Sequence, residues 1–165
     1  MHAPVRCFGQ PHAFVGRARR GDSLQLLRLP DPMLARSGPL SSRSAWSFEL
    51  KWDGFRAIVS TEDGLRVRSR RGWNMTPVLP ELRKLPAGLV LDGELVAWKG
   101  KVPWFPLVCR RVLNNDLSVP ITFLAFDVLR VDGTEVTDRP FDVRRALLEE
   151  LLISGPGWGA LGDVR

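Results

Sequence analysis

From Phe55 to Val131 the chain is a succession of short apolar runs punctuated by Asp-Gly pairs, and this pattern constrains the fold more than any other feature. Asp and Gly accept the positive φ angles of tight hairpins, so an Asp-Gly pair between two alternating runs predicts antiparallel neighbours. WSFELKW (46–52) and FRAIVS (55–60) are expected to be strands, the second turning at Glu62-Asp63-Gly64 into LRVRS (65–69). LVLDGELVAW (89–98) predicts a strand broken by a turn or bulge at Gly93. ITFLAFDVLRV (121–131) has the continuous apolar character of a buried strand and ends at Asp132-Gly133. Three helices are expected: PVLPELRKL (77–85) with Thr76 as N-cap and Pro80 in its first turn, residues 104–113, and VRRALLEELL (143–152) with Asp142 as cap and Gly155-Pro156-Gly157 as stop. The expected class is α+β, mostly antiparallel sheets flanked by a few helices, with no internal repeat and no G-x-x-x-x-G-K-[ST] phosphate loop.

Composition sets the outer bounds. With 44% hydrophobic and 25% charged residues in 165, the chain has enough apolar surface for one core. Lys and Arg number 24 against 18 Asp and Glu, a formal +6, which favours phosphate-bearing partners. A merely solvated basic surface has the same balance, so motifs must decide. Cys7 and Cys109 form no C-x-x-C pair and the histidines are confined to His2 and His12, which argues against zinc and fits a reducing compartment. No apolar run approaches the roughly 18 residues of a membrane helix, and the N-terminus lacks the apolar stretch of a signal peptide, so a cytoplasmic protein without a membrane partner is expected. Residues 1–25, aperiodic and carrying Arg17, Arg19 and Arg20, are expected to be a basic extension without fixed structure, and 26–165 the folded part.

Lys51-Trp52-Asp53-Gly54-Phe55-Arg56 is the most informative hexapeptide. It places a Lys at the end of an apolar strand and an Arg on the next. A free lysine, with a pKa of about 10.4, is a poor nucleophile at neutral pH unless desolvation or a neighbouring cation helps it lose its proton. Arg56 is such a cation. Attack by the amine on a nucleotide α-phosphate would give a phosphoramidate, with Arg and metal ions offsetting the growing negative charge. The alternative is a plain K-x-D-G hairpin turn with exposed charges.

Several further motifs follow in order: Ser69-Arg70-Arg71-Gly72, Asp92-Gly93-Glu94 and Phe126-Asp127, preceded by Pro32-Met33-Leu34-Ala35. With KWDGFR as the K-x-D-G-x-R element, the stretch from Pro32 to Trp158 resembles the adenylation domain of bacterial ATP-dependent DNA ligases, a nucleotidyltransferase (ATP-grasp-like) fold. The resemblance implies that Lys51 is the residue that becomes adenylated and that Glu49 accepts a hydrogen bond from the adenine amino group. Glu49 is expected two positions before Lys51 on the same strand face. The resemblance also implies that Arg56 and Arg70 contact sugar and phosphates, or later the nick 5′-phosphate, that Glu94 binds the ribose hydroxyls, and that Phe126 stacks on adenine. No metal ligand is assigned, although Glu94 as a metal neighbour stays open. Asp92 is expected to shape a turn, and Trp52, Trp73, Trp98 and Trp104 to pack.

The implied reaction has three steps: Lys51 takes AMP from ATP, AMP passes to the 5′-phosphate of nicked double-stranded DNA, and the 3′-hydroxyl displaces it, with Mg2+ assisting each. The family's later E-G-x-[VM] and K-x-K elements, and the oligonucleotide-binding domain that follows them, have no counterpart in these residues, so an incomplete adenylation domain is expected, acting without oligomerising. A separately supplied C-terminal catalytic half is an open partner. Two rival readings stand beside this one: an RNA ligase or capping-type nucleotidyltransferase, and an inactive remnant that binds nucleotide or DNA without turnover.

Overall fold

The computed structural model describes residues 29–33, 49–151, 155 and 157–160. The expected 1–25 extension and residues 46–48 of the first expected strand lie outside them.

Strand β1 (Phe55–Ser60) and β2 (Arg66–Ser69) form the first hairpin, with Ser60 opposite Arg66 and Gly64 at φ +91° in the loop. β3 (Leu89–Val96) pairs antiparallel with β1 on one side and with the long β6 (Thr122–Val131) on the other. Between them, β4 (Trp98–Lys99) and β5 (Val102–Pro103) make a small separate hairpin, followed by helix α1 (Phe105–Asn114). β6 turns through Asp132 (φ 47°) and Gly133 (φ 75°) into β7 (Thr134–Glu135), the two consecutive positive φ angles of a tight hairpin that Asp-Gly supplies at low cost. Helix α2 (Phe141–Leu151) follows, with Asp142 in its first turn rather than preceding it, where its charge still complements the helix dipole. β8 (Trp158–Ala160) then lies parallel beside β6, so the main sheet runs β2-β1-β3-β6-β7 with β8 also on β6.

Strand alternation sorts the side chains. Ala57, Val59, Leu91, Leu95, Phe123, Ala125 and Val128 are buried on one face, packed with Leu79, Leu82 and, from α2, Leu148. Burial of each Leu-sized side chain contributes about 1.5–3 kcal/mol, which makes this face the main source of stability. On the other face Ile58, Val90 and Leu129 meet Leu29 in a smaller cluster, and the polar positions of β1 and β3 lie beside them.

Three expectations are corrected. Residues 77–85 form two 3-10 turns, Thr76–Val78 and Pro80–Lys84, not an α-helix. Each turn has a proline at its start, and Leu79 between them leaves helical space at φ −133°. Thr76 is no N-cap either, since its hydroxyl accepts the Val67 N–H at 2.8 Å. β3 is unbroken at Gly93; the bulge is on its partner β6, where the register steps from Asp92↔Asp127 to Gly93↔Ala125 and leaves Phe126 as the extra residue. Residues 49–53, finally, carry no strand pairing.

The 3-10 turns are tied to α1 by Arg111, which is buried. Its guanidinium donates to the carbonyls of Val78 (2.7 Å), Leu117 (3.0 Å) and Val119 (2.7 Å) and to both carboxylate oxygens of Glu81 (2.8 and 2.7 Å). Every arm of the cation is satisfied, as a buried charge requires.

Candidate active site

The hexapeptide KWDGFR is not a hairpin turn. Gly54 enters β1 pressed against β3: a Cβ built there would lie 2.1 Å from the Leu95 carbonyl oxygen and 3.0 Å from Glu94 Cγ. Only glycine fits, and the close approach brings the Gly54 N–H onto the Glu94 carboxylate. Arg56 lies opposite Glu94 in the register and Ile58 opposite Asp92, so Arg56 reaches diagonally to Asp92. The guanidinium grips that carboxylate with two hydrogen bonds, Nε to Oδ1 and Nη2 to Oδ2 (2.7 Å), and donates from Nη2 to the Met33 carbonyl at 3.2 Å. The same cation lies 4.3 Å over the centre of the Phe126 ring.

The bulge in β6 makes that stacking possible. With Phe126 as an extra residue, Phe126 and Asp127 follow each other without the usual change of face. Phe126 packs beside Val96, Leu124, Trp52 and Trp98, the two tryptophans meeting edge to face at 5.7 Å. Asp127 accepts two 2.8 Å hydrogen bonds from Nε and Nη2 of Arg144 on α2.

Electrostatics follow burial. Desolvation pushes the Glu94 carboxyl up to about 7, although Arg56, the Gly54 N–H and Lys51 all pull it down. Asp92 is likewise raised, by burial that outweighs its Arg56 partner. Glu49 is raised by burial, with the Arg145 charge opposing and Asp127 adding. Its carboxylate accepts a 2.7 Å hydrogen bond from Arg145 Nη1.

The structure thus brings Lys51, Arg56, Glu94 and Phe126 together, with Lys51 exposed at the rim and close enough for its charge to act on Glu94. Glu49 joins them through Asp127, whose charge acts on both Glu49 and Asp92. Arg70 stands apart, exposed in the turn after β2, with no hydrogen bond or ion pair to them among the described residues. Asp92 shapes no turn; it is a buried strand residue that shares a face of β3 with Glu94. Arg144 and Arg145 had no signal in the sequence. Residues 29–33 lie over the same face, held by Arg68, whose Nη2 donates to the Leu29 carbonyl at 2.9 Å and to Asp31 at 3.1 Å. Among the described residues no group of three or more His, Cys, Asp or Glu could hold a metal ion, and no helix is long and apolar enough to cross a membrane.

A mostly antiparallel sheet with an Arg–carboxylate pair and an aromatic ring on one face, preceded by a Lys just before its first strand, defines a nucleotidyltransferase-like domain, and solved structures agree. The ligase domain of Mycobacterium tuberculosis LigD superimposes with a TM-score of 0.64 at 34% identity over 77% of this chain and 48% of that one. A mycobacterial DNA ligase D complexed with ATP and MES gives 0.62 at 34% identity, covering 77% of this chain and 47% of that one. The chain belongs to the ATP dependent DNA ligase domain family, whose model matches residues 32–158. Among curated relatives, the multifunctional non-homologous end joining protein LigD of Mycolicibacterium smegmatis is 38% identical over 133 residues, 75% of this chain and 17% of the relative. DNA ligase C of Mycobacterium tuberculosis is 34% identical over 156 residues, 86% of this chain and 42% of the relative.

Proposed function

We propose that this chain carries the nucleotide-accepting part of a DNA ligase and that Lys51 is its point of covalent attachment. In the first step the Lys51 amine, having lost a proton, attacks the α-phosphate of ATP. A P–N bond forms, the bond to the bridging oxygen breaks, and pyrophosphate leaves. The AMP then passes to the 5′-phosphate of a nick in double-stranded DNA, and the 3′-hydroxyl displaces it. The observation that carries this reading is the Arg56 guanidinium, opposite Glu94 in the register, fixed by Asp92 and stacked on Phe126, with Lys51 exposed just before the same strand.

Each residue has work that its surroundings allow. The exposed Lys51 is accessible to the phosphate, and Arg56, oriented by a buried carboxylate, is a fixed counter-charge for phosphoryl oxygens. Glu94 accepts the ribose hydroxyls; Phe126 carries the purine on the ring face that Arg56 leaves; Glu49 accepts the 6-amino group. Arg70, on the outer turn, meets DNA phosphate. The described residues do not suit a resident Mg2+: Asp92 is engaged through both oxygens by Arg56, and no group of three or more His, Cys, Asp or Glu among them could hold the ion. Magnesium therefore enters with ATP, on its phosphates, as part of the substrate.

The test is incubation with α-labelled ATP and magnesium, then denaturing electrophoresis, beside Lys51→Ala. Label that survives denaturation and is lost in the variant is expected. Label retained without Lys51, or a folded wild-type chain that takes none, would overturn the assignment.

A further inference from the structure

Two consecutive arginines on α2 reach different members of the site. Arg144, its side chain 10% exposed, holds Asp127, the residue after Phe126, by a two-pronged pair. Arg145, 18% exposed, reaches across 96 positions of sequence to Glu49 Oε1 at 2.7 Å. Arg145 is itself fixed from behind, because its Nε donates to Glu149 Oε1 at 2.8 Å one helical turn on. Glu49 belongs to a stretch with no strand pairing, so no ladder of backbone hydrogen bonds sets its direction. The Arg145 contact is the one hydrogen bond to its side chain among the described residues.

We propose that Arg145 is a positioning residue for purine selection: anchored by Glu149, it holds one oxygen of the Glu49 carboxylate and leaves the other aimed at the exocyclic amine of the purine. The inference rests on the reading of Glu49 as the acceptor of that amine. The chemistry is suited to it. A carboxylate with one oxygen already engaged by a planar guanidinium is turned to a single orientation, and its second oxygen remains a strong acceptor for an N–H donor. An amine at purine position 6 supplies such a donor; a purine without it does not, and leaves the second oxygen without that partner. Selection of ATP over its deaminated analogues thus depends on a residue of α2.

The experiment compares ATP with purine riboside triphosphate, which lacks only the 6-amino group, by equilibrium titration of the full chain, wild type and R145A, with R145K as the conservative variant. The wild type is expected to prefer ATP about tenfold, the size of one hydrogen bond to a charged acceptor. R145A should bind ATP about as weakly as the analogue, with the analogue's affinity unchanged, and R145K should restore part of the preference. Thermal melts run alongside show whether each variant is folded, and R145K carries the comparison if R145A is not. Equal weakening of both nucleotides would assign Arg145 a general structural role and overturn the proposal, as would a preference undiminished in R145A. Wild type that binds ATP without preferring it would instead remove the Glu49 reading on which the proposal stands.

Discussion

Replacing Glu94 by Gln is expected to stabilise the protein above neutral pH while weakening its hold on ATP. Burial raises the Glu94 carboxyl from its ordinary 4.5 to about 7. The sign follows from proton counting. Between those two values the native state keeps a proton that the unfolded chain has lost, so stability falls as pH rises from 4.5 to 7 and is flat beyond. The gap of about 2.5 units corresponds at most to roughly 3 kcal/mol at 1.36 kcal/mol per unit. Glu94 is only partly buried, and solvent screening reduces this to about 1–2 kcal/mol. Gln keeps the shape and still accepts the Gly54 N–H but has no charge to desolvate. Its advantage over the wild type should therefore grow from near zero at pH 4.5 to about 1–2 kcal/mol at pH 8, a rise of about 3–6 °C in Tm for a chain of this size. Urea unfolding followed by tryptophan fluorescence at several pH values without nucleotide measures the difference. A difference that does not vary with pH, or a Gln variant that is the less stable at pH 8, would refute the reasoning: attraction to Arg56 and Lys51 would then outweigh desolvation.

Other substitutions probe the same framework. Asp92→Asn leaves Arg56 without its two-pronged partner and should cost about 2–4 kcal/mol in urea unfolding, with slower labelling of Lys51 by ATP. Gly93→Ala drives a Cβ to 2.5 Å from both the Leu124 carbonyl oxygen and Phe123 Cε2, and separating two central strands should lower stability by about 2–4 kcal/mol in a thermal melt. Arg111→Met leaves three carbonyls and Glu81 without their donor, an expected loss of about 3–5 kcal/mol by urea unfolding with the labelling of Lys51 unchanged at temperatures where the variant is folded.

Much of this fold was legible because local chemistry and tertiary context agree. The FRAIVS and LRVRS runs, the Asp132-Gly133 hairpin and the amphipathic α1 and α2 all form where pattern and turn residues place them. Residues 77–85 misled because apolar spacing suits a helix while Pro77 and Pro80 allow only short turns. At the site, Lys51, Arg56 and Glu94 were legible as members of one constellation. The environment of Asp92 was not, since an Asp-Gly pair reads as a turn unless the strand through it is known to be buried on both faces. Glu49 was expected to share a strand face with Lys51; its direction comes instead from an arginine 96 positions away, a separation that no local rule spans. The placement of Phe126 depends on a register shift, and alternation alone would assign neighbouring residues to opposite faces.

That shift has a counterpart three residues on. β6 steps again between Val90↔Arg130 and Leu91↔Val128, which leaves Leu129 as a second extra residue. Phe123 and Ala125 face the main core before the first step, Val128 between the two, and Val131 again after the second, so one irregularity inverts the strand's parity and the next restores it. Insertions and deletions should therefore be tolerated very unequally along this chain. A residue gained or lost in the loop between β1 and β2 alters only a surface connection. A single deletion at Phe126 would restore a regular ladder in which Ala125 and Val128 still face the core, and a paired deletion with Leu129 would regularise the whole strand; either keeps the hydrophobic face intact and erases the aromatic ring of the site. Chains that drift in length within this strand would lose the chemistry before they lost the fold.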